Sequence, residues 1–285
     1  PGGGGGGGGS FAAQATTTAG SVPSVASSGG DGTVYVTFAD DVTAMDGTAD
    51  PGYWLASASG GVHAFGSVGT YGSMGGQPLN QPIVGLRATP DGKGYWLVAR
   101  DGGVFAFGDA AFYGSMGGQP LNQPIVGLRA TPDGKGYWLV ARDGGVFAFG
   151  DAAFYGSMGG RALNAPVAGM VADKDGTGYW LVARDGGVFA FGDAPYLGNF
   201  VGQTTGTDVV GIEATGDSGG YWLVSENGAV AARGDAATYG SLKGTTLNAP
   251  IVGMAASPDH GGFWLLGADG GVFAFGDAGF YGSLG

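Results

Sequence analysis

The chain has 285 residues, 66 of them glycine, no cysteine, and a formal net charge of −12, because 23 acidic residues outnumber 11 basic ones. The absence of cysteine excludes disulfides and thiolate metal sites, and the acidic charge argues against nucleic acid and against an anionic membrane surface as partners. No apolar run approaches the ~18 residues that would span a bilayer, so the sequence predicts no membrane insertion.

Residues 1–40 form an arm rich in Gly, Ala, Ser and Thr that begins with a run of eight glycines, a composition typical of flexible linkers. One stretch of this arm has the composition of a strand: Val34, Tyr35, Val36, Thr37 and Phe38. Two interpretations stay open. The strand pairs within its own domain and helps to close it, or it adds to an exposed sheet edge of a neighbouring subunit.

Residues 41–285 contain six copies of one repeat. Its marker is tryptophan, which recurs every 42 residues at Trp54, Trp96, Trp138, Trp180, Trp222 and Trp264. Two copies, residues 71–118 and 113–160, are identical over 48 positions. A period of this length is the signature of a repeat architecture, so the copies are units of one domain.

Each repeat has four strand signals and no helix signal. In the second copy the predicted strands are residues 83–88, 95–100, 104–107 and 111–116. Asp101-Gly102 marks a tight hairpin, and residues 117–124 form the longest link between units. Four antiparallel strands in about 40 residues predict an all-β propeller of six four-stranded blades.

The second and third strands are apolar on both faces, which fits blades that are covered by their neighbours. A β-solenoid is the competing architecture, although tight hairpins favour antiparallel blades. A seventh blade would need the repeat tryptophan at position 12, where the sequence has Ala12.

No catalytic constellation is present, so the sequence predicts a protein that is not an enzyme and that needs no cofactor and no metal. The two histidines, His63 and His260, lie at a position that is aromatic in other repeats and in a turn. The aspartates recur with the repeat, as turn and cap residues do. One inner-strand position varies in charge between repeats and is predicted to line the central channel: Met45, Arg87, Arg129, Val171, Glu213 and Ala255.

A tyrosine recurs near the end of the repeat, in the Tyr-Gly-Ser motif. Sugars stack on aromatic faces, so these residues are candidates for glycan stacking: Tyr113, Tyr155, Tyr239 and Tyr281. The alternative is a role in the core, where recurring aromatic residues on strands are common.

The run Gly-Tyr-Trp-Leu-Val-Ala-Arg-Asp-Gly-Gly-Val-Phe-Ala-Phe-Gly-Asp at residues 94–109, followed by Phe-Tyr-Gly-Ser-Met at 112–116, resembles a repeat common in exported actinobacterial proteins. The resemblance covers residues 41–285 and implies a non-catalytic, extracellular or cell-surface module. It implies no ligand residues. The chain begins with Pro1, which suggests a processed export precursor.

Two functions are therefore expected. The first is a surface structural protein whose subunits assemble, as a homo-oligomer or a filament, through the N-terminal arm. The alternative is a lectin-like module that binds cell-wall glycan.

Overall fold

The computed structural model describes residues 24–25, 36–37, 40–202 and 207–285, with side chains in the last two ranges. In the arm, β1 (Ser24–Val25) pairs antiparallel with β2 (Val36–Thr37) as a separate two-stranded sheet. Val34, Tyr35 and Phe38 of the predicted arm strand lie outside the described residues. No helix in the described part of the chain is long and apolar enough to cross a membrane.

Six sheets of three antiparallel strands follow in chain order, one for each tryptophan repeat. The strands are β3 (Val42–Gly47), β4 (Gly52–Ser57) and β5 (Val62–Gly66) in blade 1; β6 (Ile83–Ala88), β7 (Gly94–Ala99) and β8 (Val104–Gly108) in blade 2; β9 (Ile125–Ala130), β10 (Gly136–Ala141) and β11 (Val146–Gly150) in blade 3; β12 (Val167–Ala172), β13 (Gly178–Ala183) and β14 (Val188–Gly192) in blade 4; β15 (Val209–Ala214), β16 (Gly220–Ser225) and β17 (Val230–Gly234) in blade 5; and β18 (Ile251–Ala256), β19 (Gly262–Gly267) and β20 (Val272–Gly276) in blade 6.

The first strands of the six blades contact one another in a closed circle, β3 to β6, β9, β12, β15, β18 and back to β3. These strands are therefore innermost, and the third strands are outermost. The predicted six-bladed propeller is confirmed. Antiparallel pairing within every sheet excludes the β-solenoid.

The middle strand of every blade is buried along its whole length. Its aromatic residues join neighbouring blades, since Trp96 of blade 2 packs on Tyr137 of blade 3 with ring centroids 5.8 Å apart. Both side chains are 0% exposed. Because both faces of each sheet are covered in this way, the apolar residues on both sides of the middle strand are accounted for.

The predicted fourth strand, residues 111–116 in the second repeat, is wrong: no ladder forms there. Gly114 interrupts the extended backbone at φ +135°, and the backbone of this segment bonds mainly to side chains. The Trp96 indole donates to the Ala111 carbonyl (2.8 Å), and the Tyr137 hydroxyl donates to the Gly114 carbonyl (2.6 Å). The blades are therefore three-stranded, and this segment is a connector wedged between two of them.

The ring closes between blades 6 and 1 through contacts of the same kind. The Val42 amide donates to the Ala268 carbonyl at 3.2 Å. The Tyr53 hydroxyl donates to the Gly282 carbonyl, and the Tyr53 ring packs on Trp264 at 5.4 Å. Packing of the last connector against the first blade therefore completes the circle.

Candidate functional site

The structure places the four predicted tyrosines in the connectors between blades. Tyr113 is half-buried, its ring lies 5.7 Å from Tyr137, and its hydroxyl donates to the Gly134 carbonyl at 3.0 Å. Tyr155 and Tyr239 make the equivalent bonds, to the Gly176 carbonyl (2.8 Å) and the His260 carbonyl (3.2 Å). Tyr281 lies at the same position but has no such bond. Each of these rings also packs against an aromatic ring of the next blade, so all four lie at contacts between blades.

The residue immediately before each of these tyrosines points to solvent. The large exposed side chains at this position are Phe112 (59%), Phe154 (60%), Tyr196 (58%) and Phe280 (60%). The other two repeats carry Thr70 and Thr238 there. We call the four exposed rings the aromatic belt. Among residues 40–202 and 207–285, two other large apolar side chains are exposed, but at 50% and 44% they are less open, so the belt is the main exposed apolar feature.

Sequence reasoning selected the neighbouring tyrosine and missed the belt, although a signal existed. Adjacent side chains in an extended segment point to opposite sides. In the Phe-Tyr pairs at 112–113 and 154–155, therefore, only one ring of each pair can pack between blades. The sequence does not say which of the two packs, because that depends on the backbone of the next blade.

The variable inner-strand position is Asp46 in blade 1, where the sequence predicted Met45. Asp46 pairs with Trp54 as Arg87 pairs with Trp96, whereas Met45 pairs with Leu55 in the core. The cause is the link between the first two strands, which has four residues in blade 1 (48–51) and five in blade 2 (89–93). The spacing from the tryptophan to the inner-strand position is therefore one residue shorter in blade 1 than in blade 2, and the sequence-based alignment selected Met45 instead of Asp46.

With Asp46 at this position, four charged side chains form a network in the central channel. Arg87 pairs with Asp46 at 3.1 Å and approaches Glu213, on the opposite blade, at 3.8 Å. Arg129 pairs with the same Glu213 carboxylate and donates to the Met170 carbonyl at 2.7 Å. Two positive and two negative side chains thus cross the channel and balance one another.

Burial shifts the pKa values of two side chains in this network. It raises the pKa of the Asp46 carboxyl, against the attraction of Arg87. Burial, reinforced by the charge of Arg87, lowers the pKa of the Arg129 guanidinium. The Nη1 atom of Arg129 is buried without a hydrogen-bond partner among the described residues. The cavity among the inner strands measures about 110 Å³, which suits a few water molecules rather than a sugar.

The described ranges contain no group of three or more His, Asp or Glu side chains placed to hold a metal ion. His63 is exposed on β5, opposite Leu55. His260 lies in a turn, and its Nδ1 atom lies 3.0 Å from the Ala214 carbonyl oxygen.

Comparison with known proteins supports the fold. The structure is similar to the crystal structure of the β-propeller domain of Cps50 (Swd1) from Myceliophteria thermophila, with a TM-score of 0.58 and 11% sequence identity over 86% of this chain and 89% of that one. At this identity the similarity shows the fold alone. No family model and no curated protein matches the sequence. The protein is an all-β propeller of six repeats.

Proposed function

We propose that the propeller is a non-catalytic, extracellular module that binds polysaccharide through the aromatic belt. The observation that carries this proposal is the recurrence of an exposed ring at four of six equivalent positions. Exposed rings stack on the apolar faces of sugar residues, and a chain of sugars meets several rings at once. Linked weak contacts add up to a much higher overall affinity than one contact provides.

Replacing two belt residues tests the proposal. We expect the Phe112→Ala/Phe154→Ala variant to bind an insoluble cell-wall polysaccharide about a hundredfold more weakly than the parent, because linked contacts are lost together. Pull-down isotherms against a panel of cell-wall polysaccharide, cellulose, chitin and starch measure the effect. Both side chains are exposed, so the melting temperature should hardly change.

The chain provides its own control at the same position of other repeats. Thr70→Ala/Thr238→Ala removes two connector side chains without removing a ring, and it should bind as the parent does. If the parent binds none of these polysaccharides at millimolar sugar concentration, or if the phenylalanine variant binds equally well, the proposal is wrong.

Self-assembly through the arm is a second candidate function, favoured by the three-stranded blades. Because the predicted fourth strand does not form, each third strand, such as β8, pairs with a strand on one side only among the described residues. An unpaired edge is a template for an added strand. Val36–Thr37 already has strand conformation, so we infer that the arm of one copy can extend a blade of another.

Negative-stain microscopy and analytical ultracentrifugation of three versions of the chain test this idea. The full chain should form ordered fibres or rings, and deletion of residues 1–39 should yield single particles. Val36→Pro should also abolish assembly, because proline cannot donate to a ladder, whereas deletion of residues 1–10 should have no effect. Single particles of the full chain at every concentration would rule out assembly and would leave the glycan proposal standing.

A further inference from the structure

The seam between blades 6 and 1 differs from the other seams because of the short turn in blade 1. In blades 2 to 6 the link between the first two strands has five residues, and the fourth has a positive φ, as in Gly92 (+69°), Gly134 (+70°) and His260 (+57°). Blade 1 has only Thr48, Ala49, Asp50 and Pro51 in this link. No residue of that turn has a positive φ.

The missing residue leaves one tyrosine without its hydrogen bond. Tyr71, Tyr113, Tyr155 and Tyr239 each donate their hydroxyl to the carbonyl of the fourth turn residue of the next blade, at 2.8–3.2 Å. Tyr281 faces the shortened turn, and its hydroxyl has no hydrogen-bond partner among the described residues. A hydroxyl that donates to the protein in four equivalent places and lacks that bond in a fifth can donate to a ligand instead.

A cavity of about 350 Å³ lies beside the shortened turn, and we call it the seam pocket. Its walls are the blade 1 turn (48–52), the blade 6 turn (257–259), Trp264 and the connector residues 277–279 and 281. The indole of Trp264 is held in place by its bond to the Gly279 carbonyl at 2.7 Å. This volume is at the lower end of the range for small-molecule sites and suits about one sugar ring.

The charged side chains that line the seam pocket are all carboxylates: Asp50, Asp259 and Asp277. The Ser257 hydroxyl lies 2.8 Å from Asp259 and 3.3 Å from Asp277, which fixes two of them. Its hydrogen bond to Asp259, together with the Gly261 amide, lowers the pKa of that carboxyl, so Asp259 is ionised at neutral pH. A ligand that enters the pocket therefore gains from carrying a positive charge.

We propose that the seam pocket binds an amino sugar with a free, protonated amine. The ammonium group lies among Asp50, Asp259 and Asp277, the sugar ring lies against the half-buried ring of Tyr281, and the Tyr281 hydroxyl donates to a ring substituent. The site is separate from the aromatic belt residues Phe112 and Phe154 and does not depend on their role.

Titration calorimetry of the full chain with glucosamine at pH 6 tests this site. We expect millimolar binding of glucosamine and at least tenfold weaker binding of glucose and N-acetylglucosamine, which have the ring but no ammonium group. Butylamine, which has the ammonium group but no ring, should also bind at least tenfold more weakly. Equal affinity for glucose or for butylamine, or no binding of glucosamine up to 100 mM, would overturn the proposal.

Variants with matched controls separate binding from folding. Tyr281→Phe and Asp50→Asn should each weaken glucosamine binding about tenfold, whereas Tyr155→Phe and Asp91→Asn, at the same positions of other repeats, should not. Tyr155→Phe removes a satisfied hydrogen bond and should lower the melting temperature by about 2 to 4 °C. Tyr281→Phe should leave the melting temperature unchanged. Full binding by Tyr281→Phe and Asp50→Asn would show that the pocket is not the site, whatever the result for the belt.

Discussion

Replacement of Glu213 with alanine is expected to lower the free energy of unfolding by about 3 to 5 kcal/mol, because it leaves buried positive charge without its partner. The Glu213 side chain is 5% exposed and pairs with Arg129, which is 12% exposed. It also lies 3.8 Å from Arg87. Once Glu213 is gone, Asp46 alone faces the two guanidinium groups. Denaturant unfolding of the purified chain measures the change.

Two further variants show whether the loss comes from the buried charge. Glu226→Ala removes a carboxylate that is 41% exposed and 3.5 Å from Arg184, and it should cost less than about 1 kcal/mol. The double variant Arg129→Met/Glu213→Leu removes the inner pair together and should recover most of the stability, since a buried pair contributes little beyond an apolar replacement. A Glu213→Ala protein as stable as Glu226→Ala would contradict this account of the channel.

The second large effect is a steep loss of stability in alkali. In five blades the second residue of the middle strand is a tyrosine, and burial raises the pKa of its hydroxyl: Tyr53, Tyr95, Tyr137, Tyr179 and Tyr221. For Tyr221 the pKa rises to about 12 from an ordinary value of 10.0. The folded protein holds these protons above pH 10 while the unfolded chain releases them, so stability falls as the pH rises from 10 towards 12.

Thermal unfolding at steps from pH 8 to pH 12 should show a flat region up to about pH 10 and a steep decline above it. Blade 6 carries Phe263 at this position, so phenylalanine is accepted there. The Tyr221→Phe variant should therefore fold and should decline less steeply. Ultraviolet absorbance would contradict the prediction if all twelve tyrosines ionised together near pH 10 in the folded protein.

Much of the fold could be predicted because its signals are local and repeated. The tryptophan period, the apolar second strand and the Asp-Gly hairpins each depend on residues close in the chain, and the repetition made the assignment of six blades secure. The first three predicted strands of the second repeat agree with β6, β7 and β8 to within about one residue, which is the usual uncertainty of strand ends.

The incorrect predictions concern residues whose structure depends on contacts with a neighbouring blade. Residues 111–116 have the composition of a strand, yet Trp96 and Tyr137 bind the Ala111 and Gly114 carbonyls, and a strand ladder is not formed. The ring that packs in each Phe-Tyr pair is likewise chosen by contacts with the next blade, so the exposed ring was missed.

The sequence by itself determined the repeat, the all-β class, the number of blades and the turns, because these follow from side-chain periodicity and backbone preference within one repeat. The tertiary structure alone decided three things: that the blades have three strands, that Asp46 rather than Met45 joins the channel charges, and that the Tyr281 hydroxyl has no hydrogen-bond partner among the described residues. The physical reason is the same for all three. Each depends on which backbone groups and side chains of two neighbouring blades come into contact when the ring closes. In blade 1, a turn that is one residue shorter changes these contacts.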